Sequence, residues 1–375
     1  MRFLIALLCA LLPLTVSAQI PPPPKLAANA WLLIDHGTGQ PLVSHKPDER
    51  IEPASLTKLM TAYLTFAAIK AGNLTLDEQV QVSENAWRMS GSRMFIEPNR
   101  PVTVEELIRG MIVQSGNDAC VALAERIAGS EEAFVGMMNS EAARLGMTNT
   151  RFTNSSGLPD PELYTTANDL ARLASALIRD FPEFYRIYSE REYTYNKITQ
   201  PNRNRLLWLD STVDGMKTGY TSAAGYCLVS SAVRGPRRLI SIVLGTESEA
   251  ARAQESLKLL NYGFQFFDTL RLYQANQELS RFQVWKGEVK EVPVGFLEDF
   301  VMSMPKGQVD RVKASLESSQ PVLAPIERGQ VIGTLTLTAD GKEIGRYPVV
   351  ALEEIKVGGF FSRLWDAIVL WIKSL

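Results

Sequence analysis

Two side chains that can together make an activated nucleophile stand three residues apart in Pro53-Ala-Ser-Leu-Thr-Lys-Leu-Met60, namely Ser55 and Lys58. On a helix, positions i and i+3 share a face, so the lysine amine reaches the serine hydroxyl. Pro53 suits a first turn, where its missing N–H costs nothing. The hydroxyl then sits near the positive end of the helix dipole, where developing negative charge is favoured. The apolar run Leu59 to Leu64 predicts that this helix is buried. Nucleophile and base at this spacing define acyl-transfer chemistry. The pattern is short, however: Ser303-Met-Pro-Lys306 repeats it, with Pro305 breaking the turn that the geometry needs.

Other polar residues narrow the chemistry. Both histidines, His36 and His45, fall in Trp31 to His45, which reads as two strands around a glycine-rich turn, and no Gly-x-Ser-x-Gly follows. Turn histidines are ordinarily solvated, so the base for a serine nucleophile is expected to be lysine. Ser115-Gly-Asn117 is a polar turn between two apolar helices, able to relay a proton and hold an amide, although Ser83-Glu-Asn85 has the same form. Lys217-Thr218-Gly219 lies on an expected strand, where a glycine lets a ligand approach the backbone. No metal-ligand spacing is present. Cys120 and Cys227 sit in apolar runs and read as buried thiols rather than a disulfide.

The elements that must position these groups are legible in part. Thr103-Val-Glu-Glu106 is a capping box opening the helix before Ser115. A second helix is expected from Asp118 to Ile127, a turn-rich surface loop over 151–169, and a helix over Leu170–Arg179. Tyr226–Val233 and Arg238–Leu244 predict a hairpin, and Glu247–Phe267 a closing helix that carries Arg252 near its start. From about Arg271 short alternating segments and the Asp340-Gly341 turn predict a small β-sandwich.

The ends differ from the body. Residues 1–18 read as an export signal, with Arg2, an apolar core and Val16-Ser17-Ala18 as cleavage site. Pro21 to Pro24 is a stiff spacer. In the last stretch Phe361, Leu364, Trp365, Ile368, Ile372 and Leu375 share a helical face while Arg363, Asp366 and Lys373 interrupt any spanning run, which suits a helix lying in a membrane surface. With 46% hydrophobic and 21% charged residues and a net charge of −2, the chain is expected to pack a soluble core, and nucleic acid is an unsuitable partner.

Ser55-Leu-Thr-Lys58, Ser115-Gly-Asn117 and Lys217-Thr-Gly219, in that order, resemble the signature set of the serine penicillin-recognising enzymes, penicillin-binding proteins and β-lactamases. The surrounding Asn-Asp-Ala-Cys-Val-Ala-Leu-Ala124, Asn202-Arg-Asn204 with Leu206-Leu-Trp208, and Val213-Asp-Gly-Met216 are similar to the low-molecular-mass D-alanyl-D-alanine carboxypeptidases. The resemblance covers about residues 27–270, and more loosely the rest. It implies an α/β (α+β) fold with an antiparallel sheet and a helical cluster. The expected organisation is signal 1–18, linker 19–28, catalytic domain 29–270, β-sandwich 271–356 and membrane-anchoring helix 357–375.

It further implies removal of the terminal D-alanine from peptidoglycan stem pentapeptides on the periplasmic face of the inner membrane, without cofactor, and covalent inhibition by β-lactam antibiotics. Ser55 would be acylated and Lys58 its base; Ser115 and Lys217 would relay the proton to the leaving amine, and Asn117 would bind the substrate amide. The backbone N–H groups of Ser55 and Tyr220 would form an oxyanion hole, and Arg252 with Thr218 would meet the terminal carboxylate. Many relatives have histidine where Tyr220 stands, so only its backbone role carries over. Burial and the second cation, Lys217, are expected to depress Lys58. Two rivals remain at this stage. A β-lactamase would need a deacylating glutamate, and Pro161-Glu162-Leu163 superficially resembles that loop, with Tyr164 where asparagine is expected. A catalytically inactive wall-binding scaffold is contradicted only by the intact motifs.

Overall fold

The computed structural model describes residues 21–319 and 321–373; the expected export signal lies outside the described residues. The first part of the chain runs β1 (Ala30–Asp35), β2 (Pro41–His45), α1 (Lys58–Lys70), β3 (Gln79–Val80), α2 (Glu84–Trp87), β4 (Val102–Thr103), α3 (Val104–Val113), α4 (Asn117–Ala128), α5 (Glu131–Arg144), α6 (Ala167–Asp180) and α7 (Pro182–Tyr185). It continues through β5 (Glu192–Tyr195), β6 (Ile198–Pro201), α8 (Leu206–Leu209), β7 (Val213–Thr221), β8 (Gly225–Arg234), β9 (Arg237–Thr246) and α9 (Glu249–Phe266).

The central antiparallel sheet has the order β2-β1-β9-β8-β7, with β7 at one edge. Successive side chains of a strand point to opposite faces, so a sheet covered on both sides needs unbroken apolar strands. Trp-Leu-Leu-Ile of β1 shows this: Trp31 and Leu33 join Leu239, Val243, Leu259 and Leu260 under α9, whereas Leu32 and Ile34 join Ile240, Ile242 and the helical cluster on the other face. In α6 the apolar residues Leu170, Leu173, Ala174 and Leu177 recur at helical spacing and are buried, and Thr166 caps the helix by accepting from the Asp169 N–H. The capping box of α3 is present in both directions between Thr103 and Glu106. The expected hairpins β1–β2 and β8–β9 are formed.

The remaining strands are β10 (Phe267–Tyr273), β11 (Ser280–Trp285), β12 (Glu291–Gly295), β13 (Phe300–Pro305), β14 (Val312–Ser318), β15 (Val322–Leu323), β16 (Val331–Ala339) and β17 (Lys342–Ala351). They form a pair, β10-β13, and a six-stranded sheet, β14-β16-β17-β12-β11-β15, around a core that includes Val284, Val292, Leu335, Leu337 and Val349. Asp340 and Gly341, both at positive φ, turn β16 into β17 as a two-residue hairpin requires. β10 follows α9 directly, across the expected boundary at 270. The second Ser-x-x-Lys pattern is extended on β13, where the Ser303 hydroxyl bonds to Thr38 Oγ1 at 3.0 Å, a contact between the two parts of the chain.

The last described element is α10 (Phe360–Lys373), whose Phe361, Leu364, Trp365, Ile368 and Ile372 are exposed; Leu375, expected on the same face, lies outside the described residues. Asp366 turns inward and is buried: it accepts from the Lys286 N–H at 2.6 Å and pairs with Lys290 at 3.0 Å. The acid therefore docks the helix on the sheet instead of facing water. No helix among the described residues is long and apolar enough to cross a membrane.

Candidate active site

Ser55 and Lys58 do not share one α-helix as expected. Ala54–Thr57 forms a 3₁₀ turn after Pro53, and Lys58 is the first residue of α1. The turn still places i and i+3 together, since a 3₁₀ helix has three residues per turn. Lys58 Nζ lies 3.0 Å from Ser55 Oγ. All of Lys58 to Phe66 is buried.

The lysine amine has two further acceptors, Asn117 Oδ1 at 2.7 Å and the Ser156 carbonyl at 2.5 Å. Ser156 belongs to the 151–169 segment, which is not the surface loop that its turn-rich composition suggests. Ser155, Ser156, Thr165 and Thr166 are buried. Polar main chain is tolerated there because it is satisfied: the Ser155 carbonyl accepts from Thr61 at 2.6 Å, and Asn154 Oδ1 gathers the N–H groups of Gly157 and Leu158 at 2.6 and 3.1 Å. Gly157 has φ +83°, and a Cβ there would collide with the Ala54 carbonyl.

Ser115 bridges α3 and α4 at φ +69°, and its hydroxyl receives Lys217 Nζ at 2.9 Å. Asn117 opens α4. Its Nδ2 donates to the Ser90 carbonyl at 2.7 Å and its backbone N–H to that of Ser92 at 2.7 Å. Both ends of the amide are thus engaged, and one Nδ2 proton is left for a ligand. Asp118 fixes the same 90–96 loop by accepting from Met94 N at 3.0 Å and Phe95 N at 2.8 Å.

From the other side come β7 and α9. Lys217 and Thr218 are buried, whereas Tyr220 is exposed and packs on Tyr226, ring centroids 4.2 Å apart. Gly219 also has a structural reason: a Cβ there would lie 3.1 Å from the Pro53 carbonyl and 3.3 Å from Ala54 Cβ, so the missing side chain admits the serine turn. Arg252 is buried, with its guanidinium over the Tyr226 ring; it donates to the carbonyls of Gly219 and Arg203 at 3.4 Å and to Glu249 at 3.1 Å.

One cleft of about 290 Å³ takes in Ser55, Ser115, Thr218, Gly219, Tyr220 and Arg252. Lys58, Asn117 and Lys217 stand behind it through the bonds above. Ser92, Arg203 and Glu249 also line it and were not singled out from the sequence. The signal for Arg203 was its flanking asparagines: Asn202 Oδ1 accepts the Asn204 N–H at 2.9 Å, and Asn204 Nδ2 donates to the Gly215 carbonyl at 2.9 Å, tying the loop to β7. Neither histidine lines the cleft, and Cys120 and Cys227 are free and buried. Among the described residues no cluster of three metal-ligating side chains occurs.

Burial, opposed by Cys120 and Asp118 and reinforced by Arg203, brings Lys58 from 10.5 down to about 8. The second lysine was expected to press on Lys58, but the cation that lowers Lys58 is Arg203. Lys217 is held well below its ordinary value by burial, then by Lys58 and Arg203.

A serine hydroxyl against a buried amine of depressed basicity, with a second lysine–serine pair across a cleft, is the layout of a serine acyl-transfer hydrolase with a lysine base. The peptidase S11 model, D-alanyl-D-alanine carboxypeptidase, matches residues 16–248, and that of the penicillin-binding protein 5 C-terminal domain matches 267–357. The chain belongs to this family of penicillin-binding proteins and is a serine-type D-alanyl-D-alanine carboxypeptidase. It is 45% identical over 355 residues to the D-alanyl-D-alanine carboxypeptidase DacC of Escherichia coli K12, covering 92% of this chain and 89% of that protein. It resembles crystal structures of penicillin-binding protein 5 from Haemophilus influenzae with a TM-score of 0.86 and 43% identity, over 90% and 99% of the two chains. The ampicillin-bound form of penicillin-binding protein D2 from Listeria monocytogenes matches with a TM-score of 0.60 and 34% identity, over 65% of this chain and 100% of that one. The β-lactamase alternative is set aside with these relatives. Glu162, the residue it would need, is exposed and paired with Arg151 at 3.2 Å, and does not line the cleft.

Proposed function

We propose that Ser55 attacks the carbonyl of the penultimate D-alanine of a peptidoglycan stem pentapeptide, and that Lys58 accepts the hydroxyl proton. The C–N bond to the terminal D-alanine breaks, and Ser115 with Lys217 passes a proton to the leaving amine. The N–H groups of Ser55 and Tyr220 meet the developing oxyanion, each worth on the order of 3 kcal/mol. Arg252 and Thr218 hold the terminal carboxylate, and Asn117 spends its remaining amide proton on the substrate. Water then hydrolyses the ester. β-Lactams acylate the same serine, a reading supported by the ampicillin-bound relative.

The carrying observation is the 3.0 Å contact between Lys58 Nζ and Ser55 Oγ, with the amine brought down to about 8. Residues 1–18 export the protein to the periplasm, and α10 lays its exposed aromatic and aliphatic face in the inner-membrane surface. The test is D-alanine release from a diacyl-D-Ala-D-Ala peptide. Wild type releases it and forms a covalent penicillin adduct, Ser55→Ala does neither, and release by Ser55→Ala would refute the assignment.

A further inference from the structure

Three groups surround the Lys58 amine, and the one at 2.5 Å, the Ser156 carbonyl, is placed from outside the cleft. A single side chain folds residues 154–158 into a bracket. Asn154 Oδ1 accepts from the N–H groups of Ser156, Gly157 and Leu158 at 3.2, 2.6 and 3.1 Å, and its Nδ2 donates to the Leu158 carbonyl at 3.0 Å. Ser155 is pinned from two helices. Glu131 Oε1 of α5 accepts from its N–H and hydroxyl at 2.9 and 2.6 Å, and its carbonyl accepts from Thr61 of α1 at 2.6 Å. Asn154 itself does not line the cleft.

An ammonium has three N–H donors and no acceptor, whereas an uncharged amine has two N–H donors and one lone pair. Asn117 Oδ1 and the Ser156 carbonyl can only accept, at 2.7 and 2.5 Å, so together they take both N–H groups of the uncharged form. The lone pair is left facing Ser55 Oγ at 3.0 Å, where it receives the hydroxyl proton as Oγ bonds to the substrate carbonyl carbon. With the Ser156 carbonyl swung away, the amine would be free to turn an N–H to the serine and its lone pair elsewhere. The same bracket also holds the other partner. Gly157 packs so closely on the Ala54 carbonyl that a Cβ would lie 1.8 Å from that oxygen.

We propose that Asn154 is a positioning residue for the reaction: through the Ser156 carbonyl it aims the lone pair of Lys58 at Ser55, and through Gly157 it holds the serine turn at the matching distance. This rests on the reading that Lys58 is the base. The amine is faced by Asp118 and Cys120 from α4, by Arg203 from the loop before α8 and by Lys217 from β7, while Glu131 of α5 stands behind Ser155. None of these groups is altered when Asn154 is exchanged, so a moved titration reports the bracket.

The test is stopped-flow acylation of the full-length protein by a fluorescent penicillin across pH, with thermal unfolding measured alongside. Asn154→Ala releases the Ser156 carbonyl, and the ammonium loses an acceptor. The rising limb should move down by roughly half a unit and the plateau rate should fall ~10-fold or more. Asn154→Asp keeps an oxygen for the three N–H groups and adds a negative charge. Its limb should move up instead, and its plateau should return to within about threefold of wild type. A residue that only supports the fold would not move the limb in opposite directions. Two variants that lose thermal stability with their limbs unmoved overturn the inference, as does an Asn154→Asp limb that moves down, or a plateau that Asn154→Ala leaves unchanged. If Asn154→Ala does not fold, the direction of the Asn154→Asp limb decides. A wild type without a limb near pH 8 would instead refute Lys58 as the base, and this inference with it.

Discussion

Asn117 Oδ1 accepts a hydrogen bond from Lys58 Nζ at 2.7 Å, so the amide oxygen faces the lysine and not the open cleft. An acceptor on an ammonium favours its charged form, and losing it lowers the amine's pKa. In Asn117→Ala the rising limb of the acylation–pH profile should therefore move to lower pH. The rate at its plateau should fall ~10²-fold as the base loses its orientation. Stopped-flow acylation by a fluorescent penicillin reads both, and an unmoved limb would refute the account.

Wild-type acylation should rise through about pH 8 as Lys58 loses its proton. Arg203 lowers Lys58, so Arg203→Ala should shift that midpoint upward. Lys58 also links stability to pH. Its folded value lies below 10.5, so between about 8 and 10.5 the unfolded chain holds a proton that the folded chain has released. Stability from this residue then rises with pH across that window, and its penalty is complete below it. Urea unfolding of wild type against Lys58→Met should show their difference shifting in favour of wild type from pH 7 to pH 10.

Two glycine variants should separate folding from chemistry. Gly157→Ala meets both a φ of +83° and the Ala54 carbonyl, and should cost about 1–3 kcal/mol of stability. Gly219→Ala keeps an acceptable backbone but presses on Pro53 and Ala54, displacing the nucleophile by a few tenths of an ångström. Its acylation rate should fall by ~10-fold or more while its melting temperature changes little.

The docked terminal helix should respond to two changes in different ways. Asp366→Ala removes the contacts to Lys286 and Lys290, so limited proteolysis between residues 351 and 360 should accelerate. Its apolar face is untouched, so flotation with anionic vesicles should persist. Phe361→Ser/Trp365→Ser should weaken flotation and leave proteolysis unchanged, because both side chains are exposed.

Asp118→Ala should loosen the loop that supplies the Ser90 and Ser92 carbonyls to Asn117. It leaves the N–H groups of Met94 and Phe95 without their carboxylate. Hydrogen bonds to charged groups contribute about 1.5–3 kcal/mol, so a loss of that order is expected in thermal unfolding, together with slower acylation.

Local rules made much of this legible. Thr103 with Glu106, Asp340-Gly341 and the spacing of Ser55 and Lys58 each act over two to four residues, and each brings its groups together, the last through a 3₁₀ turn and not the expected α-helix. What stayed hidden acts across long separations or through the main chain. The Ser156 carbonyl serves Lys58 from 98 residues away, and a carbonyl leaves no mark in a sequence. Composition suggested a solvated loop over 151–169 because satisfied buried turns and exposed ones use the same residues. The docking of α10 through Asp366 stayed hidden for a related reason: helical periodicity orders faces but does not say which one meets the protein.

The turn bearing Ser55 is gripped through backbone at Gly157 on one side and Gly219 on the other, with Ala54 held at φ +49° between them. Main chain cannot be retuned by exchanging side chains, so few heritable changes around the nucleophile would alter turnover without ruining it. Variation that alters turnover would have to fall instead along the solvent-facing margin, at Tyr220, Arg203 or Glu249.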